Sequence, residues 1–160
     1  MLSKFTMKTS LFRIFIIALS GSILFFTSCT PQSCFEETEA FLKATFYQNE
    51  TLRAPDSLTV YGISMDSTKI YNKSGNIKLA LIPFNASSDN SVFVIKINDI
   101  TDTITFFYSS YPHLVSKECG YTFYHTLLDQ PVYTTNVIDT VYIRKNNITI
   151  LNEENIRIFY

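Results

Sequence analysis

From residue 41 onward, apolar side chains recur at every second position in one short run after another, and no stretch holds a helical stripe for three turns. A chain patterned this way buries its apolar side chains only by pairing strands and laying one sheet face on another. In residues 41–47, Leu42, Ala44 and Phe46 alternate with Lys43 and Thr45, which face water; a brief helix over residues 37–44 is the only competing reading. Residues 58–63 form a second run. Residues 77–83 are almost continuously apolar, which predicts a central strand ending at Pro83. Phe93, Ile95 and Ile97 alternate within residues 92–97, and Ile104, Phe106 and Tyr108 do so within residues 103–108. Residues 114–118 and 121–126 flank Cys119-Gly120, where the chain bends. Val141 and Ile143, then Ile148 and Ile150, then residues 156–160 complete the series.

Turn chemistry joins these runs. Asn98-Asp99 predicts a tight hairpin, and Asn146-Asn147 predicts another between Ile143 and Ile148. Residues 72–76 read as a turn in which Gly75 supplies the positive φ, and residues 85–90 as a polar turn. Eight to ten short strands with short loops predict an all-β, antiparallel β-sandwich, immunoglobulin-like or related, with a small β-barrel as the alternative. Fourteen Phe and ten Tyr against no Trp supply the rings for such a core.

The N-terminus follows a different rule. Lys4, Lys8 and Arg13 are the only charges before residue 36, and they precede an apolar run over residues 14–26 interrupted only by Ser20, Gly21 and Ser22. Basic, then apolar, then small polar residues make an export-signal pattern, and the run is too short to cross a bilayer comfortably as a helix; an uncleaved anchor is the competing reading. Phe26-Thr27-Ser28-Cys29 resembles the lipobox of bacterial lipoproteins, with Phe26 where Leu is usual. That resemblance implies cleavage before Cys29 and a palmitate-type lipid on its thiol. The expected organisation is a lipoprotein signal peptide over 1–28, a tether over 29–38 and a single β-sandwich over 39–160.

Three cysteines in an exported chain leave one thiol with a separate fate. With Cys29 lipidated, Cys34 and Cys119 are available to each other as a disulfide; two buried, reduced cysteines are the alternative. Their spacing matches neither a redox CxxC pair nor a thiolate metal cluster.

All fourteen acids lie after residue 28 and ten of the thirteen bases do, so the domain without its signal carries about −4. Nucleic acid is not an expected partner. Glu36, Glu37 and Glu39 make an acidic start to the domain, read as a solvated segment or as a sorting signal for export to the surface.

Catalytic chemistry is weakly represented. His113 lies in a loop-like stretch and His125 among strand residues, without HExxH or an acid at ligand spacing, so no metal and no cofactor is expected. Ser109, Ser110 and Ser116 lie near His113 but in no GxSxG elbow. Asp89, Asp99 and Asp102 occupy turns in a spacing unlike a calcium loop, where carboxylates ordinarily serve backbone geometry. The aromatic side chains divide between packing and binding. A candidate ligand surface combines Tyr108, Tyr111, Tyr121 and Tyr124 with an acidic rim of Asp99 and Asp102.

Five segments carry a resemblance: Cys34 soon after the lipid-candidate cysteine; residues 79–83 followed by Asn85; Asp102-Thr103-Ile104; residues 115–120 ending in Cys119-Gly120; and Asn136-Val137-Ile138-Asp139. Together, over roughly residues 34–158, they resemble a family of small lipoproteins of Bacteroidota known only as a domain of unknown function. The resemblance implies a lipoprotein address and an all-β domain, and carries over no active residue. The expected role is that of a non-enzymatic lipoprotein of the bacterial cell envelope, held in the lipid bilayer through Cys29, with the outer membrane as its expected location. It would act structurally or by binding an envelope protein. A glycan or small-ligand binding module is the first alternative and a hydrolase the second.

Overall fold

A computed structural model describes Cys34, residues 36–63 and residues 68–160. The expected signal segment and Cys29 lie outside the described residues. Twelve strands follow one another: β1 (Phe41–Gln48), β2 (Thr51–Leu52), β3 (Leu58–Gly62), β4 (Lys69–Ser74), β5 (Leu79–Pro83), β6 (Asn90–Ile97), β7 (Ile100–Ser116), β8 (Gly120–Leu127), β9 (Val132–Tyr133), β10 (Thr140–Ile143), β11 (Asn147–Ile148) and β12 (Ile156–Phe159). Among the described residues there is no helix, and residues 41–44 lie in a strand.

The strands form two sheets. One has the order β10-β12-β1-β2, with β5 beside β1; the other runs β11-β8-β7-β6-β3-β4, with β9 beside β7. All pairs are antiparallel except β1 with β12, which run parallel with Ala44 opposite Ile156 and Tyr47 opposite Phe159. The inward positions fill one core between the sheets: Leu42, Phe46, Ile82, Ile156 and Ile158 from the first, and Leu58, Phe93, Ile95, Ile104, Phe106 and Tyr108 from the second. Each large aliphatic or Phe side chain buried this way contributes about 1.5–3 kcal/mol relative to exposure. Phe84, just after β5, sets its ring against Phe93, Phe106, Tyr108 and His125, at centroid distances of 4.3 to 6.0 Å.

Several turns depart from the sequence reading for a common reason. A two-residue hairpin turn of type I′ needs positive φ at both central residues, and Asn98 and Asp99 have it, at 47° and 75°, between paired Ile97 and Ile100. Asn49 and Glu50 also have it, at 47° and 62°, making an unforeseen hairpin between β1 and β2. Asn146 and Asn147 do not, and no hairpin forms there: β10 joins one sheet, while β11 pairs with β8 in the other. Asn155 holds this crossing loop, donating from Nδ2 to the carbonyls of Lys145 and Asn147 while its Oδ1 accepts the Lys43 N–H. At the end of β4, positive φ falls on Lys73 within the strand and on Asn76 beyond it rather than on Gly75, whose added Cβ would approach the Asp56 carbonyl to 3.2 Å.

Two strand readings also change. β5 pairs only with β1 and alternates in burial, with Leu79 and Leu81 turned outward, so it is an edge strand rather than a central one. Lys43 faces outward yet is buried. Its Nζ donates to the Thr149 carbonyl at 3.2 Å, and burial holds its pKa below 10.5 against the opposing pull of Glu37 and Glu153.

Candidate functional site

β7 is the element that organises the candidate residues. Its first half is flanked by β6 on one side and β9 on the other, whereas from Ser109 to Ser116 it pairs only with β8. β11 reaches β8 only at His125 and Thr126, so the distal hairpin stands out from the sheet as a two-stranded arm. Pro112 sits within this arm, and His113 is therefore a strand residue rather than a loop residue. The arm tolerates proline because the N–H of Tyr108 points away from β8, to the Asp89 carbonyl. Two-residue periodicity then aims the Pro112 nitrogen toward the same side, where the sheet has ended.

At the tip of the arm Gly120 takes a φ of 75°, a value that favours glycine. Beside it Cys119 is joined to Cys34 in a disulfide that spans 85 positions, with the Cα atoms 4.8 Å apart. The start of the described domain is thereby fastened to the end of the arm.

The structure separates the residues of the candidate ligand surface. Tyr108 is completely buried, its hydroxyl 2.8 Å from Ser91 Oγ and donating to the Asn85 carbonyl at 2.9 Å, so it belongs to the core. Asp102 is buried as well. Its Oδ1 accepts the Thr134 hydroxyl and the Asn136 N–H, and its Oδ2 accepts the N–H groups of Val137 and Ile138. Burial alone would raise its pKa; these hydrogen bonds outweigh burial and hold the carboxyl below 3.8. Asp99 lies in the turn at the opposite end of β7 from the arm, exposed and paired with Lys96 at 3.0 Å, whose hydrogen bond and charge lower its pKa.

Tyr111, Tyr121 and Tyr124 do share the arm, on two faces. Tyr111 and His113 flank the buried Tyr124, the imidazole stacked on the ring at 4.1 Å. Tyr121 lies on the other face, opposite Leu114.

Two side-chain groupings were not legible from sequence spacing. Ser110 Oγ lies 2.8 Å from His125 Nδ1, the only side-chain hydrogen bond of this imidazole among the described residues. Phe84 and Tyr108 pack against the ring, and burial holds its pKa below 6.5. A serine and histidine without a third, orienting carboxylate form a packed pair rather than a charge-stabilised nucleophile. On the outer face of β3, β4 and β6, Lys69, Lys73 and Lys96 surround Tyr61 and Thr59 in an open cleft of about 410 Å³. The pairing of Tyr61 with Lys69 and of Thr59 with Lys96 brings these cations together. Among the described residues, no three His, Cys, Asp or Glu side chains are placed to hold a metal ion.

A model of DUF6452, described as a family of unknown function, matches residues 57–160. The chain belongs to this family. No curated protein and no solved structure matches the chain. The DUF6452 match begins just before β3, so it contains Cys119 and the arm but neither β1 nor Cys34, and is shorter at its start than the resemblance over residues 34–158. Within it, two segments of that resemblance meet in space, since Asp102 holds the backbone of Asn136, Val137 and Ile138. In this DUF6452 chain that pairing holds residues 136–138 against β7.

Proposed function

We propose that this DUF6452 chain is a non-enzymatic envelope lipoprotein of Bacteroidota, processed before Cys29 and acting as a tethered structural or interaction module. Residues 1–28 serve as the signal, 29–38 as the tether and 39–160 as the β domain, and the lipid on Cys29 places it at the outer membrane. The observation that carries the reading is the Cys34–Cys119 disulfide. Such a bond is kept in oxidising compartments, and it pairs the two cysteines that remain once Cys29 takes a lipid. By the chain-entropy estimate a loop of this length adds about 4–5 kcal/mol to stability. Asp102 is taken up by backbone hydrogen bonds and His125 is packed against Phe84 and Tyr108, which supports binding over catalysis.

A glycan or small-ligand role is the second reading. The cleft of Tyr61 with Lys69, Lys73 and Lys96 favours it, since a half-buried ring at a cleft stacks on a sugar face and lysines attract acidic substituents.

Intact mass of the protein from its native membrane tests the first reading. The expected species begins at Cys29, carries acyl mass, and gains two alkyl groups with iodoacetamide only after reduction. A chain that retains residues 1–28, or that alkylates at two cysteines without reduction, refutes it.

A further inference from the structure

The disulfide does more than close a loop, because it decides which part of the domain lies nearest the lipid. Cys29 and Cys34 are five residues apart, and five residues span at most about 18 Å when fully extended. Cys34 is bonded to the tip of the β7–β8 arm. With a lipid on Cys29, the arm therefore cannot leave the neighbourhood of the bilayer, whatever the rest of the domain does.

The arm has the surface for that position. Leu114 stands opposite Tyr121 and Pro112 opposite Phe123, so these four share the face that continues the inner face of the sheet. In the body of the domain that face is covered by the other sheet; along the arm that cover ends, with Phe123 at its base facing Phe41 and Pro83 across an open cleft and Leu114 and Tyr121 beyond it turned to solvent. Tyr121 is 73% exposed, Phe123 49% and Leu114 48%. Aliphatic and Phe side chains gain free energy by leaving water, and Tyr, with an apolar ring and a polar tip, suits the headgroup boundary. The tip carries Lys117 and Glu118, and the disulfide adds Glu36 and Glu37 just after Cys34, so the docking is driven by apolar contact and not by attraction to anionic headgroups.

We propose that the β7–β8 arm is a membrane-docking element, which lays Leu114, Tyr121 and Phe123 into the headgroup boundary of the membrane that anchors Cys29. This inference rests on the lipid-anchor reading and adds an orientation to it. The occupant of the bare face is lipid, and the Asn98-Asp99 turn, at the other end of the 17-residue β7, points away from the membrane. A strand of that length spans about 50 Å, enough to carry the far turn well clear of the headgroups.

The absence of Trp from the chain makes the test direct. The full chain carrying Tyr121→Trp is purified from membranes and reconstituted in phosphatidylethanolamine/phosphatidylglycerol vesicles containing lipids brominated near the top of the acyl chain. Ile100→Trp, exposed beside the far turn, is the matched control. Both substitutions fall on exposed side chains and leave the core intact, and intact mass is measured on the same samples. The expected result is an acylated protein in which the Tyr121→Trp probe emits further to the blue and is quenched several-fold more than the control. Acylated protein with equal, weak quenching at both positions overturns the docking while leaving the anchor in place. A probe shielded from iodide but untouched by brominated lipid means that protein covers the arm, and also overturns it. Protein without acyl mass at Cys29 overturns the anchor and the docking together.

Discussion

Replacing Asp102 with asparagine is expected to cost more stability than its isosteric shape suggests. The carboxylate accepts four hydrogen bonds, two at each oxygen: the Thr134 hydroxyl at 2.5 Å and the Asn136 N–H at 2.9 Å on Oδ1, and the N–H groups of Val137 at 2.8 Å and Ile138 at 2.9 Å on Oδ2. Three of the four are backbone N–H groups that can only donate, so an amide sets its NH₂ against Asn136 in one orientation and against Val137 and Ile138 in the other, while the Thr134 hydroxyl can turn to accept. A hydrogen bond to a charged group contributes about 1.5–3 kcal/mol net, and Asp102 is buried, so losing one or two such bonds together with the charge amounts to about 2–5 kcal/mol. For a domain of this size that lowers the melting temperature by about 10–20 °C.

The same contacts give the effect a pH signature. The folded pKa of Asp102 lies below its ordinary value. The contribution of its charge is therefore complete above the unfolded pKa and is lost as pH falls through the folded one. Urea unfolding of the wild type and Asp102→Asn, followed from about pH 7 to about pH 2.5, is expected to show a gap that narrows only below about pH 4. A gap under about 1 kcal/mol at neutral pH, or one that stays constant into acid, would mean that the charged carboxylate of Asp102 does not hold residues 134–138.

Three further expectations concern buried polar groups. Tyr108→Phe removes a hydroxyl bonded to Ser91 and to the Asn85 carbonyl; it is expected to cost about 1–2 kcal/mol in chemical denaturation while leaving the Tyr121 surface unchanged. Asn155→Ala frees the crossing loop from Lys43, Lys145 and Asn147, with an expected loss of about 2–4 kcal/mol and faster amide exchange over residues 144–155. His125 is held neutral by burial. Its unfolded form takes up a proton first as pH falls, so stability is lost from about pH 6.5 downward. His125→Gln is expected to flatten that part of the unfolding profile, and a profile unchanged by the substitution would refute the assignment.

The inward faces were legible because a two-residue period reports burial directly. Leu42, Phe46, Phe93, Ile95, Ile97, Ile104 and Phe106 all point where the alternation placed them. Asn98-Asp99 was legible because the turn type demands residues that tolerate positive φ. Asn146-Asn147 satisfies the same local rule, and failed because Asn155, eight residues later, binds that backbone instead. Periodicity also records only that a side chain is covered, not by what. Asp102 therefore read as an acidic rim when it is an internal clamp, and Tyr108 read as a surface ring when it is core. The cysteine pairing was legible by counting. The arm was not, since residues 110–113, from Ser110 to His113, read as loop-like and only the pairing with β8 makes them strand.

The parallel pairing of β1 with β12 has a kinetic consequence. Ala44 and Ile156 face each other across 112 intervening steps of chain, so the first sheet cannot acquire its central contact until the last strand has been made. Closing so long a loop costs entropy before any contact repays it, and folds rich in such distant pairings form slowly. The β6–β7 hairpin, closed by a two-residue turn, has no such delay. The second sheet is thus the natural nucleus, and the first assembles onto it late, with β1 waiting unpaired on that side until Ile156–Phe159 arrives.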